Sequence, residues 1–304
     1  MPSAVPPTAI FSSLHRAFGD SPMEAVFSAA STVESWLQAE AALARAQASV
    51  GELEPAQAER VADVCVLHNV DLPALWAEMA NVGYPILPLV RQLTAMLPPA
   101  DQGLLHYGAT TQDIMDTGLA LQLARALDRL EELVSALGDV LAGQAEAHAD
   151  TVMAGRTHGQ QAVPTTFGAK MATFLQQARR LRRDLLALRP EVCLASLHGA
   201  AGTSAGLGAQ APAVRAAFAH ALGLVEPDGP WHVTRDGLAS FSGACARAAA
   251  LCARLAREVI DLSRTEIGEV REAAAHHRGA SSTMPQKANP IDSEAIVGMA
   301  TIVA

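Results

Sequence analysis

The stretch HHRGASSTMPQKANPIDSE, residues 276–294, gathers groups able to move a proton and to hold an anion. Ser281 and Ser282 lie in a Gly-flanked segment whose composition allows movement. Lys287 brings a fixed positive charge, and Asn289 an amide donor directly before Pro290. Asn-Pro reads as the cap and first position of a helix, and a helix N-terminus itself favours anions. Lys287 and Asn289 therefore suit a carboxylate. His276 and His277 are adjacent, without the spacing of a metal-binding pair, and read as solvent-facing or packing residues.

Two further polar islands mix glycine with hydroxyl, amide and imidazole groups. They are HYGATTQDIMDTG, residues 106–118, and GRTHGQQAVPTTFG, residues 155–168. Thr110, Thr111 and Gln112 stand at the start of a helical pattern and suit a second carboxylate. His106 or His158 alone reads as a structural histidine, and each island alone as a capped helix end. Three islands together allow a shared site. No phosphate-cradling GxxxxGK[ST] and no GxGxxG occurs. The chemistry expected is acid–base work on a small polycarboxylate, with no metal and no cofactor.

The elements that must position these islands are helical. A helix is expected from Pro22 to about Val50, then shorter ones divided by Pro55, Pro73, Pro85 and Pro88. Leu119, Leu123, Ala126, Leu130, Leu133, Leu137 and Val140 alternate steps of four and three, a seam against a neighbouring helix. A rod over 112–149 would span about 57 Å. Thr110 or Thr111 is placed to cap it, with Asp113 in its first turn. A second rod is expected from Pro164 to about Leu188, stopped by Pro190. A third runs from Thr234 to Ala274, with Leu238, Phe241, Cys245, Leu251, Leu255, Val259 and Leu262 on one face. A fourth starts at Asn289–Pro290. Strand patterns are scarce, so the fold class is all-α, an elongated long-helix bundle. The expected organisation is an N-terminal helical domain over 1–100 and the bundle over 101–304. The apolar, still helical ending AIVGMATIVA suggests that the domain continues further.

Half of the 304 residues are apolar and only 4% aromatic, so the core must come mostly from Ala, Leu and Val. The net charge of -9 argues against a nucleic-acid partner. Arg179, Arg180, Arg182 and Arg183 read as a solvated or subunit-contacting face. Cys65, Cys193, Cys245 and Cys252 form no CxxC pair and read as core thiols. The opening MPSAVPPTAIF lacks the pattern of a signal peptide. No apolar stretch reaches the ~18 residues of a membrane span. A cytoplasmic protein without a membrane partner is expected.

GASSTMPQKANP resembles the signature loop of the fumarase/aspartase superfamily, G-S-S-x-M-P-x-K-x-N-P. The other two islands resemble that family's other two conserved regions, in the same order. The resemblance covers essentially the whole chain, except for the family's small C-terminal helical domain. It implies a homotetramer whose active sites each draw on three subunits. It also implies that Ser281 is the general base that removes a proton next to a carboxylate. Lys287 and Asn289 match the family's carboxylate binders, and Thr110, Thr111 and Gln112 its second carboxylate region. His158 matches a catalytic histidine, and Glu294 the acid that orients it. By the same resemblance His106, Arg156, Thr157, Gln160, Ser282 and Met284 are substrate-binding candidates.

Within the family, ILPLVRQL (86–93), HGAAGTSAGLG (198–208) and PWHVTRD (230–236) resemble the bacterial 3-carboxy-cis,cis-muconate cycloisomerases. These close a lactone by adding a substrate carboxylate to a double bond. His106, His158 and Glu294 point instead toward adenylosuccinate-lyase-like elimination of fumarate. Against that, Val70 stands where those lyases carry another histidine, with His68 two residues early, and Ala288 replaces the arginine usual after the loop lysine.

Overall fold

The computed structural model describes residues 18–273, 279–280, 283–284 and 286–303. These group into two compact units, one of residues 19–129 with 188–238, the other of 130–187 with 239–303. No single boundary along the chain separates them, because three long helices each contribute to both. Among the described residues, no helix is long and apolar enough to cross a membrane.

The expected first helix is two. Helix α1 covers Ser21–Val26, and α2 covers Ala29–Ser49. The break has a local cause: the Ser28 hydroxyl accepts from Ser31 N–H at 3.2 Å and starts a new helix. Pro55 opens α3 (Pro55–Val64), which has a capping box of Glu54 and Gln57. Asp71 caps α4 (Leu72–Val82), which Gly83 ends at φ 93°. Helix α5 covers Ile86–Thr94. Leu37, Leu43, Leu75, Ile86, Leu89 and Leu93 are fully buried here. Helix α2 packs on α3 and on α8 (Ala211–Leu222).

Helix α6, Thr111–Ala147, matches the expected rod. Its buried stripe follows the expected seam at Leu123 and Ala126 and departs from it further along. Leu127, Val134 and Leu141 are buried, whereas Leu133 and Val140 are 39% and 63% exposed. The helix carries leucine and valine on two adjoining stripes, and sequence periodicity alone does not say which of them this chain covers.

The second polar island is a β-hairpin and not a helix start. Strands β1 (Val152–Thr157) and β2 (Gln160–Thr166) pair antiparallel, with an irregularity between Ala154 and Arg156. His158 and Gly159 form the two-residue turn at φ 54° and 75°, the left-handed pair such turns demand. Pro164 belongs to β2, opposite Ala154, and α7 begins at Phe167 and runs to Val192 with Pro190 inside its last turn. The β-branched Val152, Thr157, Val163, Thr165 and Thr166 around His-Gly carried the strand signal.

Helix α9 spans Asp236–Leu262, twelve residues short of the expected end. The chain turns back there, with Glu269 N–H and Val270 N–H both donating to Leu262 O and Gly268 at φ 63°. Helix α10, Ile291–Val303, begins as Asn289–Pro290 foretells. The arginine run on α7 is engaged in ion pairs within its own unit: Arg182 with Glu131, and Arg183 together with Arg247 with Asp184.

Gly168 is where α7 meets the end of α6. A Cβ there would lie 2.4 Å from Ala145 O and 2.7 Å from His148 O. Both neighbours are backbone and cannot rotate away. Gly168→Ala is expected to cost about 1–3 kcal/mol by overpacking, read as a lower urea midpoint at unchanged m-value.

Candidate active site

The first island folds around Asp113, in the first turn of α6, whose carboxylate is fully buried. Oδ1 accepts from Ser196 Oγ at 3.0 Å and His198 N at 2.9 Å. Oδ2 accepts from Gly199 N at 2.9 Å and from Thr110 N at 3.0 Å. His232 Nε2 lies 2.9 Å from Oδ1 and, facing a carboxylate, donates. Thr117 and Ser196 exchange two bonds, Thr117 Oγ1 donating to Ser196 O and accepting from Ser196 N. Two loops distant in sequence are thus fastened to one helix start. The cap bond is made by Asp113 reaching back to Thr110, leaving the Thr110 and Thr111 hydroxyls without partners among the described residues.

Further bonds stiffen this base. Gln112 Nε2 donates to Asp116 Oδ1 at 2.7 Å, and Arg235 Nη1 to the same oxygen at 3.0 Å. Arg235 also donates to His232 O and stacks 5.5 Å over Trp231. His106 has a left-handed backbone, φ 62°, and its Nδ1 is 2.6 Å from Glu40 Oε1. Burial, the largest influence on His106, opposes its charge. The Glu40 hydrogen bond, the Glu40 charge and the Asp113 charge together exceed it and lift His106 above the usual histidine value. Burial, then Arg215 and His232, press His198 the other way, so it is neutral near pH 7.

The second unit carries the remaining candidates. His158 stands exposed at the hairpin turn, with Thr157 and Gln160 beside it, also exposed. Arg156 makes a two-pronged ion pair with Glu269 at 2.8 and 2.7 Å, which holds the Glu269 carboxyl below the usual carboxylate value. Glu294 is exposed on α10, and no hydrogen bond joins it to His158 within the chain. Lys287 is exposed, with no ion pair among the described residues, and Met284 O accepts from Lys287 N at 3.1 Å. Ser281 and Ser282, like His276 and His277, lie outside the described residues.

The loop base is closed by backbone. Ala280 and Ala288 form an antiparallel bridge. Both the backbone N–H and the side-chain Nδ2 of Asn289 donate to Gly279 O at 2.9 Å. Gly279 is at φ 66°, and a Cβ there would lie 2.5 Å from Asn289 O. The N-terminus of α10 is capped by Glu272, which accepts from Ser293 N at 2.8 Å and Ser293 Oγ at 2.6 Å. This helix start, offered to an anion by the sequence, is therefore occupied by the chain's own carboxylate.

Among the described residues, no three His, Cys, Asp or Glu side chains gather as a metal ion would require. A cavity of about 260 Å³ near Trp231 is lined in part by Glu191, Asp228 and Asp236. That charge is wrong for a polycarboxylate, and the cavity includes none of the expected site residues. Asp113, His232, Arg235 and Glu40 are the residues that sequence reasoning did not place at the site. The island HYGATTQDIMDTG carried Asp113, and the motif PWHVTRD carried His232 and Arg235.

Three likenesses to known proteins bear on this geometry. A family model described as Lyase matches residues 18–304. The 3-carboxy-cis,cis-muconate cycloisomerase of Pseudomonas aeruginosa is 42% identical over 302 residues, covering 98% of this chain and 65% of that protein. The crystal structure of the 3-carboxy-cis,cis-muconate lactonizing enzyme from Pseudomonas putida superposes with a TM-score of 0.90 at 39% identity, over 95% of this chain and 66% of that one. A fumarate lyase from Mesorhizobium sp. BNC1 gives 0.85 at 36%, over 94% and 64%. The chain spans about two thirds of the length of the relatives it matches.

Asp113→Asn is expected to lower stability by about 2–4 kcal/mol, since a buried acceptor becomes in part a donor facing donors. Urea unfolding checks it, and Gln112→Ala in parallel should cost less, about 1–2 kcal/mol, because one bond to the Asp116 carboxylate is lost while Arg235 still donates to the same oxygen.

Proposed function

Because the chain belongs to the lyase family of the fumarase/aspartase superfamily, we propose that the protein closes 3-carboxy-cis,cis-muconate to a carboxymuconolactone. The observation that carries this reading is the identity to a cycloisomerase over 98% of the chain. A substrate carboxylate oxygen bonds to one alkene carbon, the π bond breaks, and its electrons pass to the neighbouring carbon and into the carboxylate beside it. The resulting aci-carboxylate takes a proton at carbon and becomes the lactone. Ser281 supplies that proton and, in reverse, removes it as general base.

Stabilising the doubly charged intermediate is the largest demand. Lys287 is suited to it by an exposed ammonium with no described ion-pair partner. Thr110 and Thr111 offer unengaged hydroxyls at a helix start. His106, Gln112, Arg156, Thr157, Gln160, Ser282, Met284 and Asn289 complete the proposed binding set. Arg156 reaches substrate by exchanging Glu269 for a substrate carboxylate. Asn289 acts at the loop base by holding Gly279 O. His158 and Glu294 belong to one site through different copies of the chain, and the likeness to the superfamily points to a homotetramer as the active species. Four free thiols, two of them buried, suit a reducing cytoplasm.

The alternative is elimination of fumarate from a succinyl adduct, favoured by the presence of both His158 and Glu294. Ultraviolet absorbance separates the two readings. Lactonisation removes a conjugated diene, whereas elimination creates an absorbing alkene. Loss of diene absorbance with 3-carboxy-cis,cis-muconate, and no fumarate from adenylosuccinate, is expected; the reverse pattern rejects the proposal. Ser281→Ala should slow turnover at least about a hundredfold with unchanged circular dichroism. Mixed Ser281→Ala and His158→Ala subunits should regain activity after exchange, and no regain despite demonstrated exchange would remove the shared site.

A further inference from the structure

One face of α2 holds the first island in place. Trp36, Glu40 and Gln47 follow one another at helical spacing. Trp36 packs on Gly118, where a Cβ would lie 2.5 Å from its ring. Gln47 Nε2 donates to Tyr107 O at 2.9 Å. Between them, Glu40 meets His106 at 2.6 Å. Glu40 is 1% exposed, and its Oε2 is buried without a partner among the described residues. A buried carboxylate with a bare oxygen is costly unless a cation neutralises it. Arg45, also on α2, is committed to Glu59. His106 is the basic group in contact.

We propose that Glu40 is a positioning residue that grips His106 by Nδ1 as a doubly protonated ring, so that Nε2 presents a charged donor to a substrate carboxylate. The inference rests on the reading of His106 as a substrate ligand. Glu40 fixes which nitrogen is turned inward, the direction of the ring, and its charge. The groups that face the pair agree with a negative surrounding. Asp113 of α6 favours the charge on His106. Cys65, at the end of α3, is pushed up first by burial and then by the Glu40 charge. The left-handed backbone at His106, with a cost on the order of 1–3 kcal/mol, is held by Glu40 on the His106 ring and by Gln47 on the neighbouring Tyr107 O.

A histidine whose charge is favoured in the fold loses its proton at a higher pH than an ordinary histidine. Carboxylate binding should therefore weaken as pH rises through that point.

The test is Glu40→Gln in the full chain, which keeps volume and an acceptor but removes the charge. NMR of carbon-13-labelled histidine, assigned with His106→Asn, reads the titration directly. Glu40→Gln is expected to lower it by about one pH unit or more, and Glu40→Asp to restore part of it. With 3-carboxy-cis,cis-muconate, KM should rise about tenfold with kcat nearly unchanged, as for a lost charged contact to a carboxylate. The alkaline limb of kcat/KM should move down with the titration. An unchanged titration, or a lowered one at unchanged KM, overturns the proposal. So does a wild-type His106 that titrates at or below the ordinary value, a result that needs no variant to fold. If wild type does not turn over the muconate, the proposed function fails, whereas the titration still decides the Glu40 contact. Binding is then read from the His106 resonance on adding tricarballylate, and its failure to respond overturns the ligand role.

Discussion

The buried carboxylate of Asp113 is the constraint on which the first half of the site depends. Five donors from three segments converge on two oxygens. An ionised group with no exposure is tolerable only when its lone pairs are filled, so every donor is held to its geometry. The consequence is a rigid floor. The loops at 196–199 and 231–235 cannot shift without uncovering the charge, and Arg235 and Trp231 are carried with them. The hydroxyls of Thr110 and Thr111 are left unengaged because Asp113 has taken over the work of capping.

The proposed catalytic loop is held by different means. Its base is pinned by backbone at Gly279, Ala280, Ala288 and Asn289, and Glu272 fastens the start of the following helix. Between those pins lie the serines, in a segment of small residues. Gly279 is required at the pin, since both its φ and the nearness of Asn289 O exclude a side chain.

Much of the helical plan was legible in the residues. Proline and asparagine marked the starts of α3 and α10, and the heptad-like leucines marked α6. The misses share a cause. The His158–Gly159 hairpin was read as a helix lead-in because Pro164 is an equally good first-turn residue, and only pairing with Ala154 decides otherwise. Helix α9 stops at Leu262, where Glu269 and Val270 N–H fold back onto Leu262 O and Gly268 takes a left-handed backbone. The buried stripe of α6 depends on which neighbour arrives, not on the spacing of its leucines.

By itself, the sequence determined the all-α class, the three polar islands and the chemistry they can carry, because caps, breakers and reactive side chains act within a few residues of chain. The tertiary structure alone decided that Asp113 is a hub, that Glu40 grips His106 and that Arg156 is paired with Glu269. Those bonds join residues dozens of positions apart, and a carboxylate chooses among distant donors only when folding has removed water as the competing partner.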